Sequence, residues 1–368
     1  MKNSKYCPRI FHGLTLMSNP DQSIDYSVCC WSNKSISSSD GMIDFNHPQL
    51  VELRNQNQQG ELSYSHCSDC IEQEKTGKKS MRLGYLEMEG VKEDYTSSLH
   101  YLDIQIDMTC NLACITCGPE LSTTWRKELK IKNLSVRPQV EKFLEEKFSS
   151  SDLALLKEIR IWGGEPFLTY THKKILEFIA ERTNPSNIRL MYNTNGTCRI
   201  DKETKELIER FQFARISFSI DGIGERFDYL RYPAKWNEVE SNLLWWKENL
   251  PHNSMLSMTV TASLLNVLYL DEVFEWHKKN FSESKFSDPI EIYVHHAFGK
   301  YALENAPTEM IEHLQSIQDY CQPWIQSFEI KTRKHTIKSI VDTLREIDNR
   351  RKVSLTSALP LSAKFLDY

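Results

Sequence analysis

Six short apolar runs, separated by stretches with helical periodicity, constrain this 368-residue chain more than any other feature. The runs are Tyr101–Ile106, Glu158–Trp162, Ile188–Tyr192, Arg215–Ile220, Leu256–Thr261 and Glu291–His295. They are rich in Ile, Val, Leu and aromatic side chains, as strands buried on both faces tend to be. Helical patterns fall at Lys173–Glu181, Lys202–Phe211, Trp236–Glu248 and Asp271–Lys279. Serial βα units build parallel sheets with right-handed crossovers. The expected fold is therefore α/β, a partial (β/α)6 TIM-like barrel over residues 99–300. Residues 1–98 are polar and read as a separate small cysteine-rich module. Residues 301–368 read as a helical extension, with Ile337, Ile340, Val341, Leu344 and Ile347 at helical spacing and a break at Pro323.

Composition narrows the function classes. The net charge is −5, so no broad basic field points to nucleic acid. No segment approaches the roughly 20 apolar residues of a membrane span. The first thirty residues hold no apolar core of the secretory kind, which places the expected site of action in the cytoplasm. Ten cysteines in such a chain do not suggest a disulfide framework, and eight of them fall within the first 117 residues. Metal or iron–sulfur ligation explains that clustering better than scattered packing.

Three of these thiols, Cys110, Cys114 and Cys117, follow the first strand with the spacing C-x3-C-x2-C. Three thiolates on one loop can hold three irons of a cubane and leave the fourth open to a ligand, whereas a structural metal site closes its shell. Further chemistry sits where active sites of such barrels lie, at the carboxyl ends of the strands. Trp162-Gly163-Gly164-Glu165-Pro166 ends the second strand. Its paired glycines let the backbone approach a ligand, and its carboxylate can receive an amine. The third strand ends in Tyr192-Asn193-Thr194-Asn195-Gly196-Thr197 and the fourth in Ser217-Phe218-Ser219-Ile220-Asp221-Gly222. Taken singly, such polar residues are ordinary turn or cap formers.

Their order and spacing resemble those of the radical S-adenosylmethionine (SAM) enzymes, in particular the SPASM/twitch subgroup. The resemblance implies a 4Fe–4S cluster on Cys110, Cys114 and Cys117 that chelates SAM. It places Gly163, Gly164 and Glu165 at the amino group of the methionine moiety and Asn195 at a later strand end of the same site. Ser219 falls on the ribose and carboxylate side, Asp221 near the substrate, Arg231 on the carboxylate and Asn266 near the ribose. Cys117-Gly118-Pro119 with Ser122 and Trp125 is similar to the same subgroup. Thr116 replaces the aromatic residue that usually precedes the last cysteine, so adenine packing there is not carried over. Reductive cleavage of SAM would give a 5′-deoxyadenosyl radical that takes hydrogen from an unactivated carbon, with a flavodoxin or ferredoxin as reductant.

Upstream, Cys7, Cys29 and the pair Cys67 and Cys70 offer four thiolates. The run from His47-Pro48 to Cys67 resembles the small modules that bind an auxiliary 4Fe–4S cluster in that subgroup. A structural zinc site is the alternative, because spacing alone does not choose the metal. Neighbouring side chains of an extended segment point to opposite faces, so Cys29 is taken as the ligand and Cys30 as packing. Cys198 and Cys321 read as idle thiols, and His295 and His296 as either substrate contacts or core residues. Relatives by resemblance act on peptides, protein side chains and sugar-like metabolites. The expected substrate is peptide or amino-acid-like. The alternative is isomerisation of a glycyl-modified thymidine in phage DNA, where a flipped nucleotide needs only a pocket. A non-catalytic iron–sulfur or zinc scaffold is the remaining reading.

Overall fold

The computed structural model describes residues 5–19, 24–38, 43–77, 79–89, 93–105, 108–132, 153–281, 291–297, 299–316 and 335–368. Its strands are β1 (Gly13–Ser18), β2 (Ile24–Ser27), β3 (Ile36–Ser38), β4 (Tyr101–Gln105), β5 (Glu158–Ile161), β6 (Arg189–Thr194), β7 (Phe213–Ser219), β8 (Ser254–Ala262) and β9 (Glu291–His296). They form one sheet in the order β3-β2-β1-β4-β5-β6-β7-β8-β9. From β4 to β9 every pairing is parallel and follows chain order. These are the six strands expected from the apolar runs. The helices Thr171–Arg182, Lys202–Ile208, Trp236–Asn249 and Leu270–Phe281 fall where periodicity placed them.

The N-terminal region departs from expectation. β1 pairs in parallel with β4, from Gly13 opposite Tyr101 to Met17 opposite Gln105. β2 and β3 continue outward in antiparallel pairing. The boundary expected near residue 98 therefore does not interrupt the sheet. These strands are short, and Ser, Thr and Asp dilute their hydrophobic signal, which hid them in the sequence. What holds β1 in place is burial of Leu14 and Leu16 on one face and of Thr15 on the other. The Thr15 hydroxyl donates to Asp103 Oδ2 at 3.3 Å.

Strand alternation sorts the side chains of the sheet. Leu102, Ile104, Ile159, Ile161, Leu190, Ile216, Phe218, Leu256 and Val260 are buried in one core with Ile175, Leu176, Ile179, Leu243 and Trp246 of the helices. The opposite face is polar: Asp103, Arg160, Asn193, Arg215, Ser217, Ser219, Thr259, Tyr293 and His295. At its amino end lies a charge layer. Arg9 reaches Asp103 at 3.4 Å and Glu158 at 3.5 Å, and Arg160 and Arg189 reach Glu158 at 3.6 and 3.1 Å.

The C-terminal helix Ile337–Arg351 forms as its spacing predicts and buries Ile340, Val341, Leu344 and Ile347. Asp348 at its end accepts hydrogen bonds from the Tyr229 and Tyr368 hydroxyls and from the Leu355 amide, at 2.7–2.8 Å. Pro323 and Cys321 lie outside the described residues. Among those residues no helix is long and apolar enough to cross a membrane.

His172 is buried under β6, with Nδ1 3.2 Å from the Tyr192 hydroxyl. Burial lowers its pKa to about 4. The unfolded chain takes up this proton near pH 6.5, whereas the native state resists it, so native stability falls as pH drops from about 6.5 towards 4. A midpoint-against-pH series should show that fall, and His172→Phe should flatten it.

Candidate active site

The cysteine loop leaves the carboxyl end of β4 and is pinned on several sides. Ser122 caps the helix Thr123–Glu128 by accepting from the amides of Thr124 and Trp125, and its hydroxyl donates to Leu112 O at 2.5 Å. Thr123 Oγ1 accepts from the Cys110 amide, and Thr124 Oγ1 donates to Cys110 O. The indole of Trp125 donates to Cys114 O at 2.8 Å. From the other side, the amides of Ala113 and Ile115 donate to the carbonyls of Tyr232 and Leu230, at 2.6 and 2.9 Å. Backbone hydrogen bonds thus bracket all three cysteines.

Residues from later strand ends meet this loop. Asn195 Nδ2 donates to Asn111 Oδ1 at 3.0 Å and lies 3.7 Å from Cys110 Sγ. The Glu165 amide donates to Thr109 O at 2.8 Å. Glu165 is buried, and its carboxylate receives the Thr194 hydroxyl and the amides of Asn195 and Phe167. Burial pushes its pKa up, and those donors oppose the rise. Gly163 and Gly164 both take positive φ, +84° and +59°. A Cβ on Gly163 would meet Gln105 Cγ at 2.2 Å, so the close turn needs glycine.

Arg231 and Asp221 form a buried pair, Nη1 to Oδ2 at 2.6 Å. Asp221 Oδ1 accepts the Thr261 amide at 2.8 Å. Each carboxylate oxygen has one partner, which ties the residue expected beside the substrate into the frame of the site while leaving it acceptor capacity. Asn266 departs similarly from the expected ribose contact. Its oxygen accepts from the Ser263 amide and hydroxyl, and its nitrogen donates to Asp221 O and Thr261 O. With every position of its amide filled, it holds Asp221 in place. Ser219 stands half-buried at the end of β7 on the polar face. His295 stands on that face at the end of β9, where desolvation and Arg160 lower its pKa.

Burial disfavours the thiolate form at all three cysteines of the loop. Burial pushes Cys110 and Cys117 up to about 12, with the Cys114 thiol the next cause in each. Cys114 is raised by burial but drawn back by Arg231. Three mutually influencing thiols on a rigid loop, two of them half-buried, can ligate a cubane and leave one corner open.

A second group of thiols sits at the opposite end of the strands. Cys7 precedes β1, and Cys29 follows the antiparallel β2, so both lie at the amino end of β4. Cys7, Cys29, Cys67 and Cys70 line one mainly apolar cavity with Ile10, Val28, Leu62 and Tyr85. Burial pushes Cys7 and Cys67 up to about 12. Cys30 does not line the cavity. Its neighbours are Cys29, Asp103 and Arg160. Among the described residues no three His, Cys, Asp or Glu side chains converge as donors to one metal ion. The four thiols ring a space instead. Cys198 is half-buried beside Thr197.

The structure also holds site residues that motif reading passed over: Arg9, Tyr85, Asp103, Glu158, Arg160 and Arg351. Asp103 and Arg160 carried a signal, since each is a charge inside an otherwise apolar strand.

Comparison with known proteins fits the loop-and-strand-end geometry. Residues 106–266 match the Radical SAM superfamily. The matched segment contains the strand-end residues described above except His295. Curated relatives include the GTP 3′,8-cyclase of Syntrophomonas wolfei, 25% identical over 46% of this chain and 48% of that protein. Those of Thermodesulfovibrio yellowstonii and Campylobacter lari are 31% and 26% identical, over 37% and 56% of this chain and 39% and 60% of theirs. The chain spans about half the length of the curated relatives it matches. Looser likenesses are solved structures of anSMEcpe with bound AdoMet (16% identity, 67% of this chain, 66% of that one, TM-score 0.41) and of Streptococcus suis SuiB bound to S-adenosylmethionine (14%, 76%, 55%, TM-score 0.38).

Gly163→Ala should destabilise the fold by about 1–3 kcal/mol, since it adds both a clash and a strained φ. Chemical denaturation of the apoprotein measures this, with Gly60→Ala, whose Cβ meets nothing within 4 Å, as the positive-φ control.

Proposed function

We propose that this protein is a radical SAM enzyme, with the cluster on Cys110, Cys114 and Cys117 and an auxiliary 4Fe–4S cluster on Cys7, Cys29, Cys67 and Cys70. The observation that carries the reading is the meeting of the three-cysteine loop with Glu165, Asn195 and the Asp221–Arg231 pair at one end of the sheet. When bound, the cluster and SAM supply reductive cleavage of the sulfonium and hydrogen abstraction from an unactivated carbon.

The chain's own residues bind, orient and enclose. Glu165 receives the ammonium of the methionine moiety, in a turn that the two glycines open. Arg231 faces its carboxylate, held by Asp221, which Asn266 and Thr261 lock. Ser219 reaches the ribose side. The polar face of the sheet, from Asn193 to Tyr293, receives the substrate. A flavodoxin or ferredoxin provides the electron.

The auxiliary reading rests on four thiols around one apolar cavity, which suits a multi-atom cluster better than a single zinc ion. The primary substrate reading is a peptide or amino-acid-like molecule. A nucleotide, such as an amino-acid-modified thymidine, is favoured by the name of the curated relatives, which act on GTP. The non-catalytic scaffold gives way, because the matched family and those relatives are enzymes.

Anaerobically reconstituted protein given dithionite and SAM should yield 5′-deoxyadenosine by mass spectrometry. Cys114→Ala should abolish it, and an unchanged yield would reject the assignment. Iron analysis should give about eight irons per chain, falling to about four in Cys67→Ala/Cys70→Ala, whereas a zinc site gives about four irons and one zinc in the wild type.

A further inference from the structure

Arg351 ends the C-terminal helix and turns into the protein, its side chain 1% exposed. Its guanidinium carbon lies 4.5 Å from the ring centre of Trp125 and 4.8 Å from that of Tyr232. Nε donates to Glu128 at 3.0 and 3.1 Å. Nη1 and Nη2 are buried and have no hydrogen-bond partner among the described residues.

Both rings that clasp this cation belong to groups that hold the cysteine loop. The Trp125 indole donates to Cys114 O, and the Tyr232 carbonyl accepts the Ala113 amide. Trp125, Ala113 and Ile347 form a small apolar cluster with Cys117 packed against it. Arg351 therefore stands behind the loop, packed on the groups that hold it. Its charge is also felt at the Cys114 thiol.

Behind the loop, at Glu128, the cations outnumber the acid. Glu128 is shared with Arg350, whose Nη1 lies 3.0 Å away, so one carboxylate faces two guanidiniums. Across the loop, Arg231 is answered by Asp221. Glu165 and Glu120 are the other acids whose charge is felt at the cysteines. Reducing a cluster adds one negative charge, and a cation buried in a low-dielectric wall stabilises that state.

We propose that Arg351 is a positioning residue for the cluster on Cys110, Cys114 and Cys117, a buried cation supplied by the C-terminal helix that raises the cluster's reduction potential. The inference rests on the radical SAM reading above. Its role is electrostatic and structural, since the guanidinium touches neither SAM nor substrate.

The test is an EPR-monitored redox titration of the full, reconstituted chain without SAM, so that turnover plays no part. In Arg351→Met the ratio of reduced to oxidised cluster at a fixed potential should fall about tenfold, or about 59 mV for one electron. Arg351→Lys, which keeps the charge, should stay near the wild type. Glu128→Gln removes the opposing carboxylate and should move the potential the other way, which keeps the test decisive where Arg351→Met fails to fold. Coincident potentials in the wild type and the charge-changing variants, or equal shifts in the Met and Lys variants, overturn the inference and leave the radical SAM assignment intact. A wild type that holds no reducible cubane overturns both.

Discussion

The buried ion pair between Asp221 and Arg231 is the interaction on which the rest of the site depends. A salt bridge taken out of water gains little unless its remaining hydrogen-bonding positions are filled. Here Thr261 fills one side of the carboxylate, and Asn266 ties the Asp221 backbone to the end of β8. The carbonyls on either side of Arg231 receive two amides of the cysteine loop. One pair thus joins the ends of β7 and β8 to the segment that carries the thiols. It complements the direct bonds that Glu165 and Asn195 make to the loop.

The barrel was legible because its signals are local. Apolar runs and intervening helical periodicity are written within a few residues, and all six strands fall where those runs lie. Most motif residues were legible for a similar reason, since they lie at a strand end or within a few positions of it, Arg231 and Cys117 being the more distant ones. Contacts made over long separations were not. Arg9 meets Asp103 across more than ninety positions, and Arg351 meets Glu128 across more than two hundred. Nothing in the spacing of either residue announces its partner.

The roles of Asp221 and Asn266 show a subtler limit. Residue type and strand-end position group both with the cysteine loop, and the structure joins them to Arg231, whose neighbouring carbonyls hold that loop. Only the hydrogen-bond geometry reveals that their polar atoms are already engaged. Asn266 can make four hydrogen bonds and makes four, so it reaches the site through Asp221. Cys29 and Cys30 form the opposite case. The cavity takes Cys29 and not Cys30, whose thiol hydrogen-bonds to Cys29 in a turn where strand alternation does not apply.

The parallel pairing of β1 with β4 has a consequence for how this protein can vary. β4 carries the cysteine loop, and β1 covers its outer edge. Deleting the N-terminal strands would leave β4 with a row of unpaired amides and carbonyls and would expose the buried Asp103. The upstream thiols are therefore not a cassette that such a barrel can gain or discard at a linker. Cys7 and Cys29 flank strands β1 and β2 of its hydrogen-bond ladder, so an exchange between relatives would have to carry the strands along with the cysteines.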